Sequence, residues 1–202
     1  MNVYDFDNTL YDGESGVQFF LFYLLKTPGL LRHAPEILRG IINYKRGLVT
    51  LDQVAERYAG LMQPFFESIK DVQGDMRMFW DRHEHRIRPF YRHLQRPDDL
   101  IISAGPEQSL REICGRMGVK HFIGSVINEE TRAFDFICFR ENKVKAFRER
   151  YPGREIDDFY TDSMNDKPLM DIAKQVFLVK GNGIEQIKFA GAGKFAGKIS
   201  AN

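Results

Sequence analysis

Residues 99–106, Asp-Leu-Ile-Ile-Ser-Ala-Gly-Pro, place a short apolar run directly before small residues and a proline. The length and composition of the run, Asp99–Ser103, are those of a buried strand. From Pro106 to Met117 we expect a helix with proline in its first turn. A strand followed at once by a helix is the repeating unit of a parallel α/β sheet.

The same alternation continues on both sides of this stretch. Val3–Asp7 indicates a first strand, and the region 122–139 indicates two short strands or a hairpin. We expect further elements in the order helix, strand, helix and last strand, at Lys143–Tyr151, Phe159–Asp162, Pro168–Lys174 and Val176–Lys180. The sequence therefore predicts an α/β fold with a Rossmann-like parallel sheet as its core. We expect the tail, 181–202, to be loosely packed or disordered.

The segment 13–87 has a different pattern. Apolar residues recur at three- and four-residue steps between Leu30 and Ile42, as on one face of a helix. A second helix is indicated by Val54–Met62 after a start signal that resembles a capping box, and a third by Phe65–Trp80. No convincing strand is found in this segment. We therefore expect a small all-helical cap of residues 13–87, inserted after the first strand into a core of residues 1–12 and 88–202.

Composition narrows the classes of function. The chain of 202 residues has a formal net charge of +1, which gives no basic surface for nucleic acid. The longest apolar run, Phe19–Leu25, is far shorter than a membrane span, so membrane association is unfavoured. The basic amphipathic stretch Leu30–Arg46 could still lie on a membrane surface. Cys114 and Cys138 do not form a metal-type spacing and indicate buried, reduced thiols. We expect a cytoplasmic enzyme.

Polar residues follow three of the predicted strands. Asp5 and Asp7 end the first strand, Ser103 ends the second, and Asp162 and Asp166 flank the loop after the Phe159–Asp162 strand. Ligands of an open parallel sheet bind at the carboxyl ends of its strands, so these side chains are expected to share one cleft. A carboxylate there can attack phosphorus, and a second carboxylate can exchange protons with the leaving oxygen or with water.

Four carboxylates in one cleft require compensation before an anionic phosphate can enter. Oxygen ligands beside a phosphate favour Mg²⁺. A lysine is the natural second compensator, and either Lys143 or Lys145 could supply it. Lys143 opens a predicted helix, and Lys145 follows two residues later.

The ordered set of motifs resembles the haloacid dehalogenase superfamily, and the helical insertion resembles the cap of its phosphoserine-phosphatase-like branch. The resemblance extends from residue 1 to about residue 180 and rests on Asp5-x-Asp7-x-Thr9-Leu10, Ser103, a lysine, and Asp162-x-x-Asn165-Asp166.

The resemblance implies the roles of the acidic residues. It makes Asp5 the nucleophile, which becomes phosphorylated, and Asp7 the general acid and base. It also implies Mg²⁺ ligation by Asp5, Asp162 and the backbone carbonyl of Asp7, with Asp166 organising the outer shell of the metal. The implied enzyme is a Mg²⁺-dependent phosphatase acting on a small phosphorylated metabolite.

The resemblance further implies that Thr9, Ser103, Lys143 and Asn165 bind the phosphate. Lys143 fits the third motif of the family better than Lys145, because it follows the 138–142 loop and precedes the apolar Val144. Glu14 stands where phosphoserine phosphatases carry a substrate-recognising acid. Those enzymes also use a cap arginine, for which the candidates are Arg32, Arg39, Arg46 and Arg57.

One departure from the family pattern is Asn8, which replaces a glycine often found within the first motif. Two other functions remain open on the same scaffold. A phosphotransferase would pass the phosphoryl group from Asp5 to an alcohol rather than to water, and a binding module would not catalyse at all. The intact acidic set disfavours the binding module. The physiological substrate and the oligomeric state do not follow from the sequence.

Overall fold

The computed structural model describes residues 1–26, 34–45, 70–128, 130–131 and 134–189. The strands in these ranges are β1 Val3–Tyr4, β2 Leu100–Pro106, β3 His121–Ile127, β4 Phe134–Phe136, β5 Asp158–Thr161, β6 Gln175–Lys180 and β7 Gly183–Lys188. The α-helices are α1 Ser15–Lys26, α2 Ala34–Lys45, α3 Val72–His83, α4 Phe90–Leu94, α5 Glu107–Met117, α6 Glu141–Arg150 and α7 Lys167–Ile172. Within the described ranges no helix has the length and apolar character needed to cross a membrane.

The seven strands form one sheet in the order β4-β3-β2-β1-β5-β6-β7. The five central strands are parallel, whereas β4 and β7 pair antiparallel at the two edges. The expected α/β fold with a Rossmann-like core is therefore confirmed, and the pair of short strands within 122–139 is β3 and β4. Because β1 lies in the middle, the loops that follow β1, β2 and β5 are neighbours at the carboxyl edge.

The core lies on both faces of the sheet. Consecutive strand residues point to opposite faces, so Val3 packs in one apolar cluster and Tyr4 in the other. Likewise Ile102 and Phe159 join the cluster of Val3, while Ile101 packs with Tyr4. A parallel sheet covered on both faces explains why its strands are apolar throughout rather than alternating.

Two expectations about strands were wrong. The first strand is only Val3–Tyr4 rather than Val3–Asp7, because the chain turns at Phe6, whose carbonyl accepts the N–H groups of Thr9 and Leu10. The strand Val176–Lys180 is not the last one. Residues 183–188, expected in a loose tail, form β7 and pair with β6. Residues 190–202 lie outside the described part of the chain.

The described residues of the proposed cap, 13–87, include α1, α2, α3 and a short 3₁₀ helix at Glu84–Arg86. The helix proposed at Val54–Met62 lies outside the described residues. The α1 and α3 helices contact each other through the rings of Phe19 and Phe79, whose centroids are 5.4 Å apart. The α3 helix also contacts the core, since Trp80 Nε1 donates to the Ser109 carbonyl of α5 at 3.2 Å. The division into cap and core stays a prediction.

The two chain segments that join this insertion to the core run side by side. The Asp12 N–H donates to the Arg86 carbonyl at 2.9 Å, and the Arg88 N–H donates to the Leu10 carbonyl at 2.7 Å. The buried guanidinium of Arg88 also binds the Asp12 carboxylate at 2.8 Å. The connection is thus a hydrogen-bonded ribbon, which starts a few residues after Asp5.

Candidate active site

The loops after β1, β2 and β5 bring the polar residues together at the carboxyl edge. Asp5 follows β1 directly, and its N–H still donates to the Tyr160 carbonyl of β5 at 2.9 Å. The register of the central strands therefore fixes the backbone of Asp5. Asp162 follows β5 on one side of it. Ser103, expected at the end of its strand, lies within β2 on the other side, because β2 continues to Pro106.

Asp5 is held by a cation on one oxygen and by a hydroxyl on the other. Lys143 Nζ lies 2.7 Å from Asp5 Oδ1, and the Thr9 hydroxyl lies 3.1 Å from Asp5 Oδ2. Burial raises the pKa of Asp5, with the charge of Lys143 opposing the shift. Fixing both oxygens limits the rotation of the carboxylate, which is what an in-line attack requires.

Asn8 allows the tight turn that directly follows the second acid of the first motif. Its φ is +58°, in the left-handed region that glycine and asparagine tolerate best. Its N–H donates to the Gly13 carbonyl at 3.0 Å, and its side-chain amide donates to Glu14 Oε1 at 2.9 Å. The replacement of glycine by asparagine is therefore compatible with the backbone of this loop, and it adds a contact to Glu14.

Asp7 precedes α1 in the sequence and lies beside its first residue, Ser15. Its Oδ1 accepts the backbone N–H of Ser15 at 2.8 Å. Burial raises the pKa of Asp7 to about 6, although its hydrogen bonds to Ser15 act in the opposite direction. A carboxyl group with such a pKa exchanges a proton near neutral pH, as a general acid and base must.

The hydroxyl of Thr9 connects the loops after β1 and β5. Besides Asp5, it lies 3.3 Å from Asp162 Oδ1, and it accepts the backbone N–H of Asp162 at 2.9 Å. Burial raises the pKa of Asp162 to about 6, and the nearby Asp166 carboxylate adds to the shift. These bonds give Thr9 an orienting role between two carboxylates. Its expected contact with phosphate stays a prediction.

The α6 helix places Lys143, rather than Lys145, beside Asp5. Lys143 is buried and bridges Asp5 to Asp166, whose Oδ1 is 2.7 Å away, whereas Lys145 is exposed. Burial alone would lower the pKa of the Lys143 ammonium, but the two carboxylates raise it above its usual range. Lys143 therefore stays charged and offsets part of the negative charge of the site.

Ser103 lies in an irregular part of β2. The side chain is buried, and its Oγ accepts the Gly105 N–H at 3.0 Å. A hydroxyl oxygen that already accepts one bond can still donate its proton elsewhere. This geometry suits the expected contact with a phosphate oxygen.

Two expected site residues lie at the rim. Asn165 is exposed in the short 3₁₀ helix Met164–Asp166, and its Oδ1 accepts Arg140 Nη2 at 3.1 Å. Glu14 lies on the other side of the loop, in contact with Asn8. Of the candidate cap arginines, Arg39 is exposed on α2, and Arg32, Arg46 and Arg57 lie outside the described residues.

The donor groups fit a Mg²⁺ ion. Asp5 Oδ2 and Asp162 Oδ1 both face the Thr9 hydroxyl, so two carboxylate oxygens converge there. Both oxygens of Asp166 are engaged, one by Lys143 and one by the Thr161 hydroxyl at 2.8 Å, which suits an outer-shell role. In the described ranges no cluster of three His, Cys, Asp or Glu side chains could hold a metal. One or two carboxylates with waters, however, are the usual set for Mg²⁺.

Three residues that support the site were not predicted from the sequence. Thr161 orients Asp166, Arg140 contacts Asn165, and Ser125 binds the backbone beside Ser103. Thr161 could have been found, because it ends a strand one residue before Asp162. The other two carry no motif and lie 25 and 21 residues from the positions that they contact.

A family model described as haloacid dehalogenase-like hydrolase matches residues 3–171, so this chain belongs to that family. The match spans all of the motifs above. No curated protein matches the sequence significantly.

Solved structures confirm the fold. A protein of unknown function from Bordetella pertussis Tohama I superposes with a TM-score of 0.66 at 23% identity, covering 84% of this chain and 85% of the other. A phosphoserine phosphohydrolase-like protein from Francisella tularensis SCHU S4 gives a TM-score of 0.56 at 15% identity, covering 87% and 86%. A phosphoserine phosphatase, solved as an analogue of its phospho-aspartyl intermediate, gives 0.54 at 13% identity, covering 86% and 83%.

Proposed function

We propose that this protein is a Mg²⁺-dependent phosphatase that hydrolyses a small-molecule phosphate monoester through an aspartyl-phosphate on Asp5. The observation that carries the proposal is the placement of Asp5 at the carboxyl edge, fixed between Lys143 and Thr9, with Asp7 two residues away. Membership of the haloacid dehalogenase-like hydrolases supports the class of reaction. The phosphoserine phosphatase with a phospho-aspartyl analogue has the same fold, which supports the intermediate.

In the first half-reaction, an Asp5 carboxylate oxygen attacks phosphorus in line with the leaving oxygen. The bond from phosphorus to the leaving oxygen breaks as the new one forms, and the Asp7 carboxyl donates its proton to that oxygen. An alcohol is released, and Asp5 carries the phosphoryl group. The raised pKa of Asp7, about 6, suits this transfer.

In the second half-reaction, water attacks phosphorus and the bond to the Asp5 oxygen breaks. The Asp7 carboxylate accepts a proton from the water, which restores its acid form. Inorganic phosphate leaves, and the Asp5 carboxylate is regenerated. No group other than water and the ester is consumed.

The remaining site residues bind and neutralise the phosphoryl group. Lys143 supplies a fixed positive charge, and the Ser103 hydroxyl supplies a hydrogen-bond donor. Asp5, Asp162 and the Asp7 carbonyl would hold Mg²⁺, with Asp166 behind them. The chemistry that Mg²⁺ supplies when bound is neutralisation of the phosphate oxygens.

The proposed substrate is a small phosphorylated metabolite, and the proposed location is the cytoplasm. The insertion connects to the core a few residues after Asp5, which supports a cap that limits access to small molecules. Both cysteines are buried and free, which fits a reducing compartment.

A phosphate-release assay over a panel of phosphorylated metabolites and an aryl phosphate tests the function. We expect Mg²⁺-dependent turnover that is lost in Asp5→Asn, because the amide keeps the shape of the side chain but is a poor nucleophile. Activity should fall by at least about 10³-fold with an unchanged circular dichroism spectrum. Asp171→Asn, the same change at an exposed carboxylate on α7, is the matched control and should keep normal turnover. Near-normal turnover in Asp5→Asn would exclude Asp5 as the nucleophile.

A further inference from the structure

The segment that carries Ser103 is a bulge in β2. Ile102 pairs with Ile123 of β3, and the next paired position is Pro106 with Ser125. Four steps along β2 therefore face two steps along β3, so the residues of β2 between these pairs bow out of the ladder. Bulges next to active sites re-aim side chains, and this one contains the expected phosphate donor.

Gly124 of β3 makes room for the bulge. A Cβ atom built at Gly124 would lie 2.6 Å from the Gly105 carbonyl oxygen and 3.0 Å from the Glu107 backbone nitrogen. Both are backbone atoms, which cannot move aside as the end of a flexible side chain can. The backbone of β2 therefore approaches β3 as closely as it does only because position 124 has no side chain.

Ser125 ties the bulge to the neighbouring strand by a chain of hydrogen bonds. The Cys138 N–H donates to Ser125 Oγ at 3.0 Å, and the Ser125 hydroxyl donates to the Ala104 carbonyl at 2.7 Å. The N–H of the same peptide, at Gly105, donates to Ser103 Oγ at 3.0 Å. The Ala104–Gly105 peptide is thus fixed at both its carbonyl and its N–H, and hydrogen bonds in such chains strengthen one another.

We propose that Ser125 is a positioning residue. By holding the Ala104–Gly105 peptide in place, it orients the Ser103 hydroxyl so that its proton points at the phosphate. Ser125 itself is fully buried, with no exposed surface to offer a substrate. Its mode of action follows from which groups donate and which accept the hydrogen bonds around Ser103. Ser103 Oγ accepts from Gly105, so the Ser103 proton goes to another acceptor. The inference rests on the proposed phosphatase function.

The test is a double-mutant cycle on aryl phosphate hydrolysis. Ser103→Ala removes the donor and should lower kcat/KM about 10²-fold. Ser125→Ala should lower it about 10-fold, because the donor is present but poorly aimed. In the Ser103→Ala background, Ser125→Ala should have less than about a two-fold effect, since no hydroxyl remains to be aimed. A ten-fold loss in both backgrounds would overturn the proposal, as would full activity of Ser125→Ala.

Two further variants distinguish an effect on the orientation of the Ser103 hydroxyl from an effect on the packing around Ser125. Ser125→Cys keeps nearly the same volume but donates a much weaker hydrogen bond, so a loss of activity between those of wild type and Ser125→Ala is expected. This variant decides the question if Ser125→Ala does not fold. Ser109→Ala removes another buried serine hydroxyl, on α5, and is the matched control with normal activity. Wild-type activity in a folded Ser125→Cys variant would contradict the proposal.

Amide hydrogen exchange tests the same chain independently of turnover. The Gly105 N–H should exchange about 10-fold faster or more in Ser125→Ala than in wild type, because its peptide is held only on one side. The Cys114 N–H, within α5, serves as the internal reference and should not change. If the wild-type protein hydrolyses no phosphate ester, the proposed function fails while this readout still decides the positioning role. Unchanged Gly105 exchange would exclude that role.

Discussion

Asp99 lies buried at the start of β2, at the opposite edge of the sheet from Asp5. Its Oδ2 accepts the backbone N–H of Arg96 at 2.8 Å. Burial raises the pKa of Asp99 to about 6, with the charge of Asp98 adding to the shift and the Arg96 bond opposing it. The folded protein therefore holds a proton at Asp99 more tightly than the unfolded chain does.

This shift makes stability depend on pH. A folded-state pKa above the ordinary value of 3.8 means that the contribution of Asp99 is most favourable below about pH 4 and is lost as pH rises through 6. We expect Asp99→Asn to be more stable than wild type by about 1–3 kcal/mol at pH 8, and this difference should shrink as pH falls to 4.5.

Urea unfolding of wild type and Asp99→Asn between pH 4.5 and 8 measures the difference. Asp98→Asn, at the neighbouring exposed carboxylate, is the matched control and should show a far smaller dependence. A difference between wild type and Asp99→Asn that is constant with pH would show that Asp99 has an ordinary pKa in the folded state.

At the scale of single residues, the sequence identifies side chains whose position follows from topology. Asp5 and Asp162 directly follow strands, and Ser103 lies in the carboxyl half of β2, so a parallel sheet brings them towards one edge wherever the loops go. Ser125 could not be found in this way. A serine within a strand is most often a neutral choice, and its role depends on a bulge in another strand, which leaves no local signal.

Arg140, which precedes α6, has backbone angles that most residues avoid. Its φ is +49° and its ψ is −119°, outside the regions that a side chain with a Cβ atom prefers. The position presents the guanidinium to Asn165 and directs α6 so that Lys143, three residues later, reaches Asp5. The strained residue thus lies directly before the helix that supplies Lys143, the cation of the site.

We expect Arg140→Gly to stabilise the fold by about 1 kcal/mol, because glycine adopts these angles without strain. The free energy gained by removing the strain exceeds the entropic cost of the greater freedom of glycine in the unfolded chain. The free energy of unfolding in urea is the measurement. Arg148→Gly, at an exposed position inside α6, is the matched control and should destabilise by about 1 kcal/mol. Equal destabilisation by both changes would mean that Arg140 is not strained.

The elements most open to prediction are those with a strong apolar pattern. The strands β2, β5 and β6 have it, and their expected positions, like that of α5, agree with the structure to within a few residues. The β7 strand does not. Glycines at 181 and 183 and the polar pair Glu185-Gln186 are typical of a loop, yet β6 offers an unpaired edge that this segment covers. Pairing to an existing edge, rather than intrinsic propensity, decides such strands.

For the whole molecule, Lys143 offsets only part of the charge of the acid cluster, so we expect a bound cation to stabilise the fold. We expect Mg²⁺ at about 100 times its dissociation constant to raise the melting temperature by roughly 5–10 °C, since it binds only the folded state. Asp162→Asn should abolish most of the shift, because it removes one of the two converging carboxylates. Thermal melts with EDTA or Mg²⁺ measure this, and the control Asp171→Asn should keep the shift. An equal shift in Asp162→Asn would place the metal elsewhere.

We expect the proposed cap to determine which leaving groups the site accepts. Glu14 lies between the first motif and α1, so Glu14→Ala should change the ranking of phosphorylated metabolites more than the hydrolysis of an aryl phosphate, whose leaving group needs little recognition. Values of kcat/KM over the panel are the measurement. Asn8→Gly is the control, because it keeps the left-handed turn and removes only the contact to Glu14. Equal losses on every substrate would mean that Glu14 supports the catalytic loop instead.

The ribbon formed by Leu10–Asp12 and 86–88 has an evolutionary consequence. Because the chain leaves the core and returns at one hydrogen-bonded point, the segment in between is joined to the sheet like the loop of a hairpin, with α3 as its further contact to the core. The entropy of closing such a loop rises by only about 0.6 kcal/mol for each doubling of its length. Insertions and deletions between α1 and α3 can therefore accumulate with little penalty to the sheet, so that lineages could exchange substrate specificities while inheriting the same chemical machinery unchanged.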